Sequence, residues 1–337
     1  MKKIKKTLYL AILCSSILIL TGCVQALRDD DNNAVQNPDT GQNLTANIIC
    51  QPTEADVIAL YEENNKNIDE LPVCEDVGLT SGGYQGVWYN IFIQPLAVGI
   101  VQLGQLVGNL GLSIVLIGVI IRVLLLPITK KIAIQSENTK KAKPELEKLE
   151  KKFKGKTDQE NIMKKNQEMS AIYKKHNINP VIGCLFALVQ LPIFIAFFES
   201  INRVPVIFEA SFLTLHLGMT PLKGIQTGNY IYIILILLLI VTTYYSFNFS
   251  QKDMGPVAGP FQSKAMIYGL IIFMTILAFN FPTAILLYWV TSSTFTIGQN
   301  LWLQRGKKDE EPIKEEKKEK PKKGKAKGGK KHAKASV

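Results

Sequence analysis

One arginine stands inside a run long and apolar enough to cross a membrane. Between Gly111 and Lys131 the chain reads GLSIVLIGVIIRVLLLPITKK, and Arg122 is its only charge before the closing lysines. A bilayer span needs about 20 predominantly apolar residues, and a cation near the bilayer centre costs about 2.5–3.5 kcal/mol on insertion scales. Counting back by helical turns from Arg122 gives Gly118, Val115 and Gly111, which places both glycines on its face. Small residues let a helix, water or a ligand approach the backbone closely. Two readings follow. Either the arginine faces a wet cavity inside a helix bundle, or it lies about two turns from the inner boundary and snorkels its head to the interface. The segment alone does not choose between them.

A second set of polar residues interrupts other apolar runs. The run Pro282 to Leu303 holds Tyr288, Trp289, Thr291, Ser292, Ser293, Thr294, Thr296 and Gln299. Tyr288, Ser292, Phe295 and Gln299 fall on one helical side. A single hydroxyl in hydrocarbon is often helix–helix glue, whereas a whole side of them, opposite a charged span, is better explained by water. Gln190 and Pro192 lie in the middle of a further run. Enzymatic chemistry is not legible: the histidines are only His176, His216 and His332, scattered, with neither metal-ligand spacing nor a phosphate loop. No enzyme activity, cofactor or metal is expected. A small transporter or channel remains the alternative, but there is no duplicated pair of broken helices, the usual pointer to alternating access.

These residues need elements to hold them. The 337 residues are 47% hydrophobic with a formal charge of +11, and apolar runs alternate with charge-dense ones. That segregation excludes an ordinary soluble globule and predicts an all-α membrane protein. Residues 1–22 form a signal peptide: lysines, an apolar run, then Leu20-Thr21-Gly22-Cys23. The last four resemble a bacterial lipobox, which implies cleavage before Cys23 and lipidation of its sulfur. Residues 23–88 are polar and acidic, fit the outer side, and hold a short helix at Ala55–Tyr61 in a largely loop segment. Cys50 and Cys74 there either pair as a disulfide or stay as two thiols. Tyr89 to Asn109 reads as an amphipathic helix at the outer interface, with Ile91, Leu96, Ile100 and Leu103 on one face.

The core, residues 89–305, is then expected to hold five spans at about 110–129, 180–198, 230–247, 265–279 and 282–303. Residues 130–178 form a cytoplasmic helical hairpin, with fourteen lysines against seven acids. Leu146, Leu149 and Phe153 keep helical spacing in its first half, with Pro144 marking a kink or a late start. Gly155 breaks the pattern, Thr157 or Asp158 caps the second helix, and Ile162, Met169, Ile172 and Tyr173 form its apolar side. Asn280-Phe281-Pro282 makes a tight outer turn between the last two spans. Residues 306–337 form a basic disordered cytoplasmic tail. The N-terminus lies outside and the C-terminus inside.

These residues resemble the bacterial YidC-type membrane protein insertases of the Oxa/Alb superfamily, in the lipoprotein form with five spans. The resemblance covers residues 85–305 and rests on IIRVLLLPITKK (120–131), NPVIGCLFALVQLPIFIAFF (179–198) and FPTAILLYWVTSSTFTIGQN (281–300), in order, with the charged hairpin between the first two. It implies a groove in the inner leaflet, open to cytoplasm and lipid and closed outside. By position, Arg122 would be its charge, with Gln190, Tyr288 and Trp289 lining or bordering it; periodicity adds Thr291, Ser292 and Gln299. Gly118 stands where many relatives carry a hydroxyl residue. The implied partners are nascent membrane proteins, the Sec translocon, membrane lipids and, through the basic tail and hairpin, the ribosome; the implied working form is a monomer in the plasma membrane, lipid-anchored at Cys23.

Overall fold

Apolar runs of 14 to 23 residues separated by turn signals fold as helices among the described residues, and so does the lysine-rich stretch Leu126–Phe153. The computed structural model describes residues 24–81, 83–251 and 260–305. The signal segment with Cys23, the inner-loop residues 252–259 and the basic tail lie outside the described residues. The helices are α1 (Ala55–Glu63), α2 (Gln94–Val107), α3 (Leu110–Leu124), α4 (Leu126–Phe153), α5 (Gln159–Lys175), α6 (Pro180–Asn202), α7 (Pro205–Glu209), α8 (Pro221–Gln226), α9 (Ile231–Gln251), α10 (Pro260–Asn280) and α11 (Thr283–Arg305). A two-stranded antiparallel hairpin, β1 (Ser211–Phe212) and β2 (Leu215–His216), stands between α7 and α8. The described residues up to Asn300 form one compact unit; of a second, from Leu301 on, only the helix end to Arg305 is described.

The segment ahead of α3 is more ordered than its composition predicts. Residues 26–45 carry short antiparallel bridges, Ala26 with Thr45 and Gln36 with Asn43 among them, and a parallel bridge joins Gln51 to Val73. Leu27, Leu44, Ile48, Val57, Tyr61 and Ile68 pack as a separate small core. Cys50 and Cys74 are joined as a disulfide, with Cα atoms 4.8 Å apart. This unit leans on the connection after α6: the Ile49 N–H donates to the Arg203 carbonyl at 2.9 Å, and the Thr220 N–H to the Thr40 carbonyl at 2.9 Å. Sequence periodicity could not show this, because every bridge is isolated and the partners Arg203 and Thr220 are distant in the chain.

A π-turn at Tyr89–Ile93 precedes α2, and it changes which side of that segment is buried. One extra residue in a turn rotates everything before it, so Ile91 is exposed while Gln94, Ala97, Val98, Ile100, Val101 and Gly104 face inward. Of the predicted face, Ile100 is buried and Leu96 and Leu103 are half-buried, while Ile91, within the π-turn, is turned out. That inner face is taken up by α3. Gly108 in left-handed conformation (φ 70°) turns the chain, Asn109 caps α3 by accepting the Leu112 N–H at 2.9 Å, and the Ser113 hydroxyl donates to the Ile100 carbonyl at 2.5 Å. Among the described residues, Tyr89–Val107 is the one helical stretch long and apolar enough to cross a membrane; Leu110–Leu124, Ile231–Phe247 and Ile271–Asn280 are shorter apolar helices.

α3 and α4 join without a loop. Only Leu125 separates them (φ −87°, ψ −4°), and Pro127 follows at the start of α4. Pro144 sits inside α4, so the first hairpin helix neither starts late nor ends there. Ala142, Leu146, Leu149 and Phe153 are buried against α5, where Met169, Ile172 and Tyr173 are half-buried and Ile162 is exposed. Asp158 is the N-cap of α5, accepting the Asn161 N–H at 3.1 Å. Lys152–Glu168 and Lys175–Glu145 ion pairs, at 2.5 and 2.7 Å, bridge the two helices.

α9, α10 and α11 share a core of Tyr232, Leu235, Ile236, Leu239, Ala278 and Leu286. Their outer sides show Ile234, Leu237, Val241, Ile272, Phe273 and Ile276 to the surroundings. Aliphatic faces of this extent are what lipid-facing helices present, and soluble monomers rarely expose them.

Candidate functional site

Arg122 lies in the last turn of α3, where the helix dipole favours a cation. Its side chain is only 7% exposed and turns toward α6 and α11. Its Nε donates to the Ser292 hydroxyl at 2.9 Å, its Nη2 to the Gln190 side-chain oxygen at 2.8 Å, and Nη2 also to Ser292. Nη1 has no hydrogen-bond partner among the described residues. The guanidinium is therefore neither sealed among aliphatic side chains nor stretched along the helix away from the bundle.

A narrow cleft opens in front of it, with room for about two waters. Arg122 and Gln190 form one side, Tyr288, Trp289, Ser292 and Ser293 of α11 another, and Ser246 and Phe247 of α9 close the third, with Phe194 above Gln190. No Asp or Glu lines it. The walls are stiff. Tyr288 stacks on Phe197 with centroids 3.9 Å apart, and Trp289 meets Phe194 edge-on at 4.9 Å. The Trp289 indole N–H donates to the Thr243 hydroxyl at 3.1 Å, tying α11 to α9. The Tyr288 hydroxyl is buried and has no hydrogen-bond partner among the described residues. Such a cleft can attract an anion and hydrogen-bond polar groups, and it contains no group arranged as a nucleophile with a base.

The structure thus brings Arg122, Gln190, Tyr288, Trp289 and Ser292 into one place. It does not bring Thr291 or Gln299 there. The Thr291 hydroxyl donates to the Leu287 carbonyl at 2.8 Å and its methyl group packs near Gly118. Gln299 donates to the Thr129 hydroxyl at 2.7 Å, tying α11 to the start of α4. Their periodicity was sound, but α11 turns those positions to α3 and α4 rather than to the opening. The glycine face of α3 also has a different use. A Cβ at Gly111 would lie 2.3 Å from Phe212, so this glycine seats the β-hairpin; one at Gly118 would meet Tyr288 and Thr291 at ordinary contact distance. Sequence reasoning missed Ser246, Phe247, Ser293 and Phe194. Ser293 and Phe194 sit next to or one turn from residues already singled out, while Ser246 and Phe247 depend on α9 being the neighbour, which no local pattern reveals.

The sequence model of the family described as 60Kd inner membrane protein matches residues 102–311, which includes every residue that lines the cleft. The chain belongs to this family, the YidC-type insertases. Its relatives include membrane protein insertase MisCA of Bacillus subtilis (strain 168), 35% identical over 232 residues, 67% of this chain and 84% of the relative. Membrane protein insertase YidC of Oceanobacillus iheyensis is 32% identical over 222 residues, 65% of this chain and 84% of that protein. Membrane protein insertase YidC 2 of Bacillus anthracis is 35% identical over 223 residues, 66% and 82% of the two chains. The YidC-family assignment makes the chain a helical membrane protein. The small N-terminal core of Leu27 to Ile68 lies outside the family match.

Proposed function

We propose that this protein inserts nascent membrane proteins into the plasma membrane, using the cleft around Arg122 as the polar entry. The carrying observation is a buried guanidinium held by two neutral acceptors, Ser292 and Gln190, with no carboxylate in the lining. Insertion must take a polar, often acidic segment across an apolar slab. In a low-dielectric cleft a fixed cation attracts such a segment more strongly than it would in water. Neutral acceptors hold the guanidinium in place and leave its charge uncancelled, so the attraction is available to the client. The client's apolar segment then moves sideways into lipid, where each buried CH₂ returns about 0.8 kcal/mol.

The topology of this reading has α3, α6, α9, α10 and α11 as five spans, the α4–α5 hairpin and C-terminal tail in the cytoplasm, and the N-terminal unit outside, anchored by a lipid on Cys23. Lysine-rich segments then all fall on one side, as the positive-inside rule requires. The basic tail and hairpin offer contacts to the ribosome, and the protein works as a monomer, alone or beside the Sec translocon, with no cofactor.

Reconstituted vesicles test the central point. Arg122→Ala is expected to impair insertion of clients with acidic tails at least tenfold, while Arg122→Lys, which keeps the charge, retains most of it. Insertion indifferent to both changes removes the role of the cleft charge.

A further inference from the structure

The hairpin between α7 and α8 holds a residue whose type does not suit its place. β1 and β2 pair Phe212 with Leu215, so Leu213 and Thr214 make the whole turn. Leu213 takes a left-handed φ of 56°, and Thr214 does not share it. This is the pattern of a II′ turn, whose first central position is ordinarily glycine. A left-handed backbone crowds Cβ against the following carbonyl, and a bulky side chain there is an outlier. Packing within the chain gives no reason for it, because Leu213 is 84% exposed. A backbone held against its preference is the kind of feature that function selects.

The surroundings say what this leucine meets. The Asn109 side-chain amide donates to the Ser211 carbonyl at 3.0 Å, and Phe212 lies against Gly111, so the hairpin sits at the turn from α2 to α3. Leu106, in the last turn of α2, is 82% exposed, and Leu112, in the first turn of α3, is exposed as well. From Val77 to Ile121 and from Ala210 to Leu222 the chain has no Lys, Arg, Asp or Glu. Leu112 also opens the exposed side of α3 that continues, at helical spacing, through Ile120 and Leu124. Protein partners are usually gripped by aromatic and arginine anchors within a polar rim. Leucines on a charge-free tip offer neither, and acyl chains require neither. We propose that the β1–β2 tip inserts Leu213, with Leu106 and Leu112, among the acyl chains of the outer leaflet, pegging the α2–α3 turn to the bilayer surface. This placement rests on the reading of α3 as a span that enters from outside.

The test uses the full chain in phosphatidylcholine nanodiscs, with Cys184→Ala to remove one thiol and the signal of that background subtracted. Nitroxide labels are placed at Leu213→Cys and Leu106→Cys, at Ile120→Cys on the exposed side of α3, and at Glu63→Cys, an exposed position on α1. Each label is relaxed by molecular oxygen, which concentrates in lipid, and by a nickel chelate, which stays in water. The oxygen-to-chelate ratio at Leu213 and Leu106 is expected to exceed that at Glu63 at least threefold. Leu213→Gly, which suits the turn, should lower the ratio at Leu106 at least twofold. A ratio at Leu213 like that at Glu63, with Ile120 in lipid, overturns the proposal and leaves α3 a span. Water-like ratios at both Leu213 and Ile120 remove the span reading and the proposal together. Shielding of Leu213 from both reagents means that protein, such as a second copy of the chain, covers the tip, and overturns it too. Should labelling disturb the turn, Leu106→Cys, on a regular helix, carries the comparison.

Discussion

Residues of one type serve opposite ends of α3, and the glycines show it best. Gly111 and Gly118 share the face of Arg122, and sequence alone gives them the same reading. The structure separates them: a methyl group at Gly111 would collide with the Phe212 side chain, whereas at Gly118 it would sit 3.5–3.6 Å from Thr291 and Tyr288. Gly111→Ala should therefore destabilise the fold by about 1–3 kcal/mol, the range for overpacking. Gly118→Ala should be neutral or stabilising by up to about 1 kcal/mol through helix propensity. Thermal unfolding of the two variants in the same detergent compares them directly, and equal losses would refute the assignment. At this scale much of the site was legible. Arg122 declared itself because a charge in an apolar run demands an explanation, and Gln190 for the same reason. Thr291 and Gln299 shared that signal without sharing the cleft, since a hydroxyl or amide on a membrane helix has several ways to find a partner.

Among the elements, the α4–α5 hairpin is the most predictable, because its instructions are local. Gly155 adopts a left-handed φ of 79° and Asp158 caps α5. Bonds from the Asn161 side chain and backbone hold the Asp158 carboxyl below its usual range. A lowered folded pKa means that this stabilisation is fully present above the unfolded value, near about 3.9, and is lost as pH falls through the folded one. Helicity of the hairpin should accordingly hold from neutral pH to about pH 4 and fall below it. Asp158→Ala should lower hairpin stability at neutral pH and flatten the acid limb, while Asp158→Asn, a good cap without the titration, should keep most of the stability. Circular dichroism of the three proteins across pH checks this. The elements read least well were α2 and the segment before it. A π-turn leaves no composition signature, so Ile91 was assigned to a face that only Leu96, Ile100 and Leu103 keep.

The whole molecule joins a core that matches its family to an N-terminal unit that lies outside the match. The apolar helices stood out because hydropathy reports them residue by residue; the N-terminal unit did not, because bridges such as Gln36 to Asn43 and contacts such as Thr40 to Thr220 exist only once the chain has folded. The Cys50–Cys74 bond closes a loop with a sequence separation of 24, which stabilises that unit by about 3 kcal/mol in the chain-entropy account. Replacing both cysteines by serine should raise amide exchange across residues 25–73 by about two orders of magnitude and leave exchange in α9 to α11 unchanged. A matching rise in those helices would mean that the two parts unfold together.

A lone fixed cation sorts as well as attracts. With no acid in the lining to cancel it, Arg122 repels lysine- and arginine-rich flanks with the same field that draws acidic ones. A client entering by this route would keep its basic end on the side it came from. The bias in loop charge by which membrane proteins orient themselves would then be enforced at a single side chain during entry, before lipid has any say.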